Sequence, residues 1–143
     1  MISVETGQIS ISTTGFCDIC DITSKVEQWL ISGKWEEGQV TIFVPGATAG
    51  LTTIENEQGL NQDLKLFFER IIPENAKYFH HDTWDDGNGF SHIRASLLKA
   101  FMTVPFCLNR LLLGTWQQII LVDFDNRSRK RELILQAIGR KAS

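Results

Sequence analysis

Polar and β-branched apolar positions alternate through Gln8-Ile9-Ser10-Ile11-Ser12-Thr13, the period of a strand with one buried face. The period then lengthens: Ile22, Val26, Trp29 and Leu30 share one side of a helix, with Ser24 and Glu27 at capping-box spacing and Gly33 as its stop. Gln39-Val40-Thr41-Ile42-Phe43-Val44 is nearly continuous in apolar and β-branched residues, as a central strand should be, and Pro45-Gly46 ends it. A further strand is predicted over 51–55. Leu60, Leu64, Phe67, Phe68, Ile71 and Ile72 recur at helical spacing opposite Asn61, Asp63, Lys65 and Glu69, so an amphipathic helix must end before Pro73. Ser91 is placed to cap another helix, with Ile93, Leu97, Leu98 and Phe101 on its apolar side. Strands follow over 103–108, 111–113, 114–124 and 132–138. Strands with about three interspersed helices and no strict alternation predict an α+β fold with a mostly antiparallel sheet core, in a single domain spanning 1–143.

The chain has 143 residues, enough for one core without disulfides or a structural metal. Its net charge of -3 argues against general affinity for nucleic acid or an anionic membrane surface. No apolar run reaches the length of a membrane span, which predicts a cytoplasmic protein with no membrane partner. Cys17, Cys20 and Cys107 are an odd number, and Cys17-Asp18-Ile19-Cys20 lacks the second pair a zinc ribbon needs; both read as buried thiols near a strand end.

Chemistry concentrates in one stretch, Tyr78-Phe79-His80-His81-Asp82-Thr83-Trp84-Asp85-Asp86-Gly87-Asn88-Gly89-Phe90-Ser91-His92-Ile93-Arg94, which holds all 3 histidines of the chain. Imidazoles beside carboxylates suit a divalent ion or acid/base work, and His80 and His92 are a candidate pair if the intervening loop folds back. Arg94, in a first helical turn, is a candidate phosphate contact. Arg127-Ser128-Arg129-Lys130-Arg131 reads as a charged turn between two strands that leaves Arg127 or Arg129 available to a site. Trp116 reads as a core indole, with Gln117 beside it as a candidate ligand contact.

Pro45-Gly46-Ala47-Thr48-Ala49-Gly50, Ile54-Glu55-Asn56, Tyr78-Phe79-His80, Asp86-Gly87-Asn88, Ser91-His92-Ile93-Arg94-Ala95-Ser96-Leu97-Leu98 and Leu113-Gly114-Thr115-Trp116-Gln117 occur in that order. Together they resemble the YjbQ-like family, also called secondary thiamine-phosphate synthase-like proteins, over nearly the whole chain. The resemblance implies a β-sandwich-like core, a homotrimer, a metal-containing pocket lined by histidines, and weak thiamine-phosphate synthase activity joining a pyrimidine pyrophosphate to a thiazole phosphate. His80 and His92 match the family histidines, and Glu55 and Asn56 its Glu-Asn pair. The chain departs at Gly46, where many members carry a histidine, which leaves a three-histidine site one ligand short.

The resulting expectation is a divalent ion, zinc first, on His80 and His92, with Thr48, Thr52, Arg94 and backbone amides receiving a phosphorylated small molecule. Asn56, Asp86, Asn88 and Gln117 would complete the ligand pocket, and Glu55 or His81 would manage protons. The rival expectation is a non-catalytic trimeric module that binds a small phosphorylated metabolite or anion.

Overall fold

A computed structural model describes residues 1–143 and contains eight strands and four helices. Two antiparallel sheets carry the strands. The larger has the order β1 (Ser3–Thr13), β8 (Arg129–Lys141), β3 (Trp35–Phe43), β5 (Phe101–Cys107), β6 (Arg110–Leu111). The smaller has the order β2 (Asp18–Asp21), β7 (Gln118–Asp123), β4 (Ala49–Ile54). The α+β expectation, antiparallel with a sandwich-like core in a single domain, matches this architecture.

Strand alternation decides what faces inward. Along β8, Arg131, Leu133, Leu135 and Ala137 are buried while Ile134, Gln136 and Ile138 face out, so an arginine heads an otherwise apolar inner row. The main core joins that row to Val40 and Ile42 of β3, Val104 and Phe106 of β5, and Leu51, Ile119 and Leu121 of the smaller sheet. Helix α1 (Thr23–Ser32) closes one end with Val26 and Leu30. No Ser24–Glu27 capping box forms: the helix begins a residue too early, Asp21 accepts from the Thr23 amide, and Glu27 turns to the Leu111 amide and Arg110.

Helix α2 (Gln58–Ile71) is capped by Glu57, which accepts from the Gly59 and Leu60 amides, and it buries Phe68 edge-on against Phe124 with ring centroids 4.8 Å apart. The short helix α3 (His80–Trp84) ends at Asp85 in the left-handed region, and Gly87 turns the chain into helix α4 (Gly89–Leu98). Ser91 is not the cap of α4. It lies in the first turn, and its Oγ donates back to the Asn88 carbonyl at 2.5 Å. α4 lies directly on β4 at Gly50, where an added Cβ would meet the Leu98 Cβ at 2.7 Å, so only glycine permits the approach. Trp116, expected in the core, is 71% exposed in the turn before β7. The thiols of Cys17 and Cys20 are pushed up by burial to about 11 and about 12, as inert structural thiols should be. No helix is long and apolar enough to cross a membrane.

Candidate functional site

The loop between His80 and His92 folds back on itself, so the imidazoles meet with ring centroids 4.4 Å apart and planes tilted by 39°. His80 belongs to α3 and His92 to the first turn of α4. Both line a cleft of about 470 Å³ with Gly46, Ala47, Thr48, Trp84, Asp86, Asn88, Arg129 and Arg131. Burial, and then the neighbouring His80, lower the pKa of His92, which favours its neutral form. The Nδ1 of His80 is 3.5 Å from Asp86, too long for a hydrogen bond, and no other group pairs with it.

The opposite wall is an ion-pair network that grows from the inner ends of β7 and β8. Asp123 and Asp125 are fully buried. Arg131 grips Asp123 with Nε at 2.7 Å and Nη2 at 2.9 Å, and Nη2 also donates to Thr48 Oγ1 at 2.7 Å. Arg129 donates to Asp125 from Nε at 3.0 Å and from Nη2 at 2.7 Å. Burial alone would raise the Asp125 carboxyl, but donors from Arg129, Asn88, the Asn126 amide and Thr48 outweigh it and hold Asp125 below the usual range. Neither Arg129 nor Arg131 uses its Nη1 in a hydrogen bond within the chain, so each carboxylate fixes a guanidinium whose remaining donors are unspent, and both side chains line the cleft.

The expected site residues divide into three groups. His80, His92, Thr48, Asp86 and Asn88 come together at the cleft, although Thr48 and Asn88 act chiefly as supports for Asp125. Glu55, Asn56, Thr52 and Gln117 lie toward the other end of the β4–β7 ladder, where Ala49 pairs with Asp123 but Ile54 pairs with Gln118. At strand rise, Glu55 is roughly 23 Å along the chain from Thr48, too far to act as a base at the imidazoles of the same subunit. There the Asn56 amide donates to Gln118 and Gln117 donates to Thr53, so these polar groups fasten the strand ends.

Arg94 and His81 form the third group, and both are absorbed by the fold. Arg94 is 1% exposed: Nε and Nη2 donate to the Ile72 carbonyl at 2.9 and 2.7 Å, and Nη2 pairs with Glu69 at 2.9 Å. Its guanidinium lies over Phe90, Phe68 and Phe124, so the expected phosphate contact is instead the clamp that ties α4 to the end of α2. His81 accepts from the Gly89 amide through Nε2 at 3.2 Å and packs edge-on to Tyr78. That bond occupies the lone pair a proton acceptor would need.

The donor set does not fit a firmly held divalent ion. Nowhere do three or more His, Cys, Asp or Glu side chains gather as a cage. The two imidazoles pack on each other with planes tilted by 39°, and two guanidiniums line the same cleft. At Gly46, where the family histidine would stand, φ is +115° and an added Cβ would come within 3.2 Å of Arg131 Nη1. An arginine edge therefore occupies the side from which a third ligand would approach.

A family model described as "UPF0047 protein YjbQ-like" matches residues 7–140. A UPF0047 protein of Archaeoglobus fulgidus is 34% identical over 131 residues, covering 92% of this chain and 99% of the relative. The UPF0047 protein YugU of Bacillus subtilis is 31% identical over 132 residues, covering 92% and 97%. Among solved structures, a YbjQ-like protein of unknown function from Sulfolobus solfataricus superposes with a TM-score of 0.90 at 28% identity, covering 98% of this chain and 100% of that one. A hypothetical protein from Aeropyrum pernix superposes with a TM-score of 0.87 at 29% identity, covering 95% and 99%.

Proposed function

Since the chain belongs to the UPF0047 YjbQ-like family, we propose that its cleft receives the phosphate or pyrophosphate group of a small metabolite. The observation that carries this reading is the pair of carboxylate-anchored arginines, Arg129 and Arg131, which line the same cleft as His80 and His92 and whose Nη1 groups make no hydrogen bond within the chain. Asp123 and Asp125 balance the two arginine charges, so attraction rests on directed N–H donors and on imidazole protonation rather than on a broad positive field. Such donors are already oriented before an anion arrives, which is what stabilisation of a departing pyrophosphate requires.

The enzymatic form of this reading is the transfer implied by family resemblance: the thiazole nitrogen of a thiazole phosphate bonds to the pyrimidine's methylene carbon as the bond from that carbon to pyrophosphate breaks and pyrophosphate departs. Trp84 favours a ring-bearing ligand: its indole is 72% exposed at the rim of the cleft, where a planar ring can stack. In that reaction Arg129 and Arg131 would hold the leaving pyrophosphate. Assembly as a homotrimer is proposed as well. The outer face of the larger sheet carries a row of Ile134, Phe43 and Phe101, all exposed and aligned by strand register, which a further copy would cover.

Thermal melts with inorganic phosphate and pyrophosphate test the binding reading, and product analysis with both thiamine precursors tests transfer. A concentration-dependent rise in Tm, larger for pyrophosphate, is expected; no rise at millimolar anion would overturn it. Rising Tm without product would leave the binding module and remove the transferase. Native mass spectrometry showing one copy rather than three would remove the trimer.

A further inference from the structure

Behind His92 the cleft continues into a second concavity of about 190 Å³ that shares Gly46, Ala47 and His92 with it. Its walls carry the methyl groups of Ala49, Ala95 and Ala100 and the hydroxyl of Ser96, whose proton is spent on the Ile93 carbonyl, and the exposed Lys99 lines it without lining the first cleft. Lys99 takes part in none of the ion pairs of the molecule. The two concavities thus form one trough, with guanidinium edges at one end, an imidazole in the middle and an unpaired ammonium at the other end. Lys99, the C-cap of α4, follows His92 by seven positions, roughly 10 Å along the helix axis.

We propose that this trough takes an elongated ligand with two acidic ends, a phosphate ester whose far end is a carboxylate or second phosphate, and that Lys99 is the residue that reads the far end. The proposal rests on the anion reading of the arginine end and adds to it the ligand's length and its second charge. The backbone of Lys99 gives the test its leverage. Its φ of 80° and ψ of 162° lie in a region that is essentially glycine's, fixed by its amide donating to the Ala95 carbonyl and its own carbonyl accepting from the Leu51 amide. A lysine with a purely structural role gains nothing there over glycine. Lys99→Gly should therefore relax the backbone while removing the ammonium.

The experiment compares 6-phosphogluconate with sorbitol 6-phosphate, which has the same chain length and phosphate but no carboxylate, by titration calorimetry on the full-length protein and on Lys99→Gly. Wild type is expected to bind 6-phosphogluconate about tenfold more tightly, and Lys99→Gly to lose that preference while its Tm holds or rises and its affinity for sorbitol 6-phosphate stays unchanged. Equal binding of the two probes by wild type, or a preference that survives in Lys99→Gly, would overturn the two-ended ligand. Failure of both probes and of inorganic phosphate to bind would instead overturn the anion site itself, so the two readings fail separately. A fall in Tm for Lys99→Gly would also count against the proposal, because it would make the lysine a structural residue.

Discussion

Arg94 and Arg131 are both buried arginines with carboxylate partners, yet they belong to different kinds of region. Arg94, beneath α4, gives its donors to the Ile72 carbonyl and Glu69 and covers its faces with Phe68, Phe90 and Phe124. Arg131, at the head of the inner row of β8, is held just as firmly by Asp123 and Thr48 but keeps Nη1 at a cleft. The proposed anion site thus separates a structural arginine from a binding one by whether a donor is left over at a concave surface, not by burial or pairing.

The strongest way to break the comparison is Arg94→Met. It strips donors from a buried carbonyl and a cation from Glu69, and should cost about 3 kcal/mol of stability, read as a lower urea midpoint. The folded fraction should bind phosphate as wild type does. If phosphate affinity fell while stability held, the assignment of Arg94 to the core would be wrong.

Arg129→Gln should show the reverse balance. Asp125 keeps donors from Thr48, Asn88 and the Asn126 amide, so the stability loss should be smaller, about 1–2 kcal/mol. Phosphate affinity should drop roughly tenfold, equivalent to about 1.4 kcal/mol. Calorimetry showing no change in affinity would remove Arg129 from the site.

The smallest effects follow pH. His92 has a folded pKa below its usual value of 6.5, so the unfolded chain binds more protons there; its contribution to stability is complete above about pH 6.5 and declines as pH falls below it. A bound anion favours the imidazolium, so phosphate affinity should move the other way and rise as pH falls from about 7.5 to 6. In His92→Gln the stability slope and the affinity slope should both flatten. An affinity that weakened on acidification in the native protein would contradict a site that draws charge from its imidazoles.

Much of this was legible in the sequence, because period and turn chemistry are local. The β3 run, the amphipathic α2 stopped by Pro73 and the clustering of all histidines in one returning loop each follow from neighbouring residues. The facing arginine wall was not. Arg127 to Arg131 read as a turn because charge outweighed alternation, yet Arg131, Leu133, Leu135 and Ala137 keep one strand period, and that spacing was the available signal for an inward-facing arginine. Asp123 and Asp125 gave a similar cue, as carboxylates closing the fully buried run of Ile119 to Val122. Arg94 misled for the opposite reason. Its place near a helix start and a histidine suggested a ligand, but two positions on from His92 a helical side chain points to the other face, here the core. Glu55 was misplaced because motif order carries no distance, whereas a strand carries its residues steadily apart.

The most direct test follows the arginine side-chain N–H signals in nitrogen-proton correlation spectra while inorganic phosphate is added. Saturable shifts confined to Arg129 and Arg131, with the Arg94 signals unmoved, are the predicted result. Arg94 shifting first, or no arginine responding at all, would contradict an anion site at the cleft.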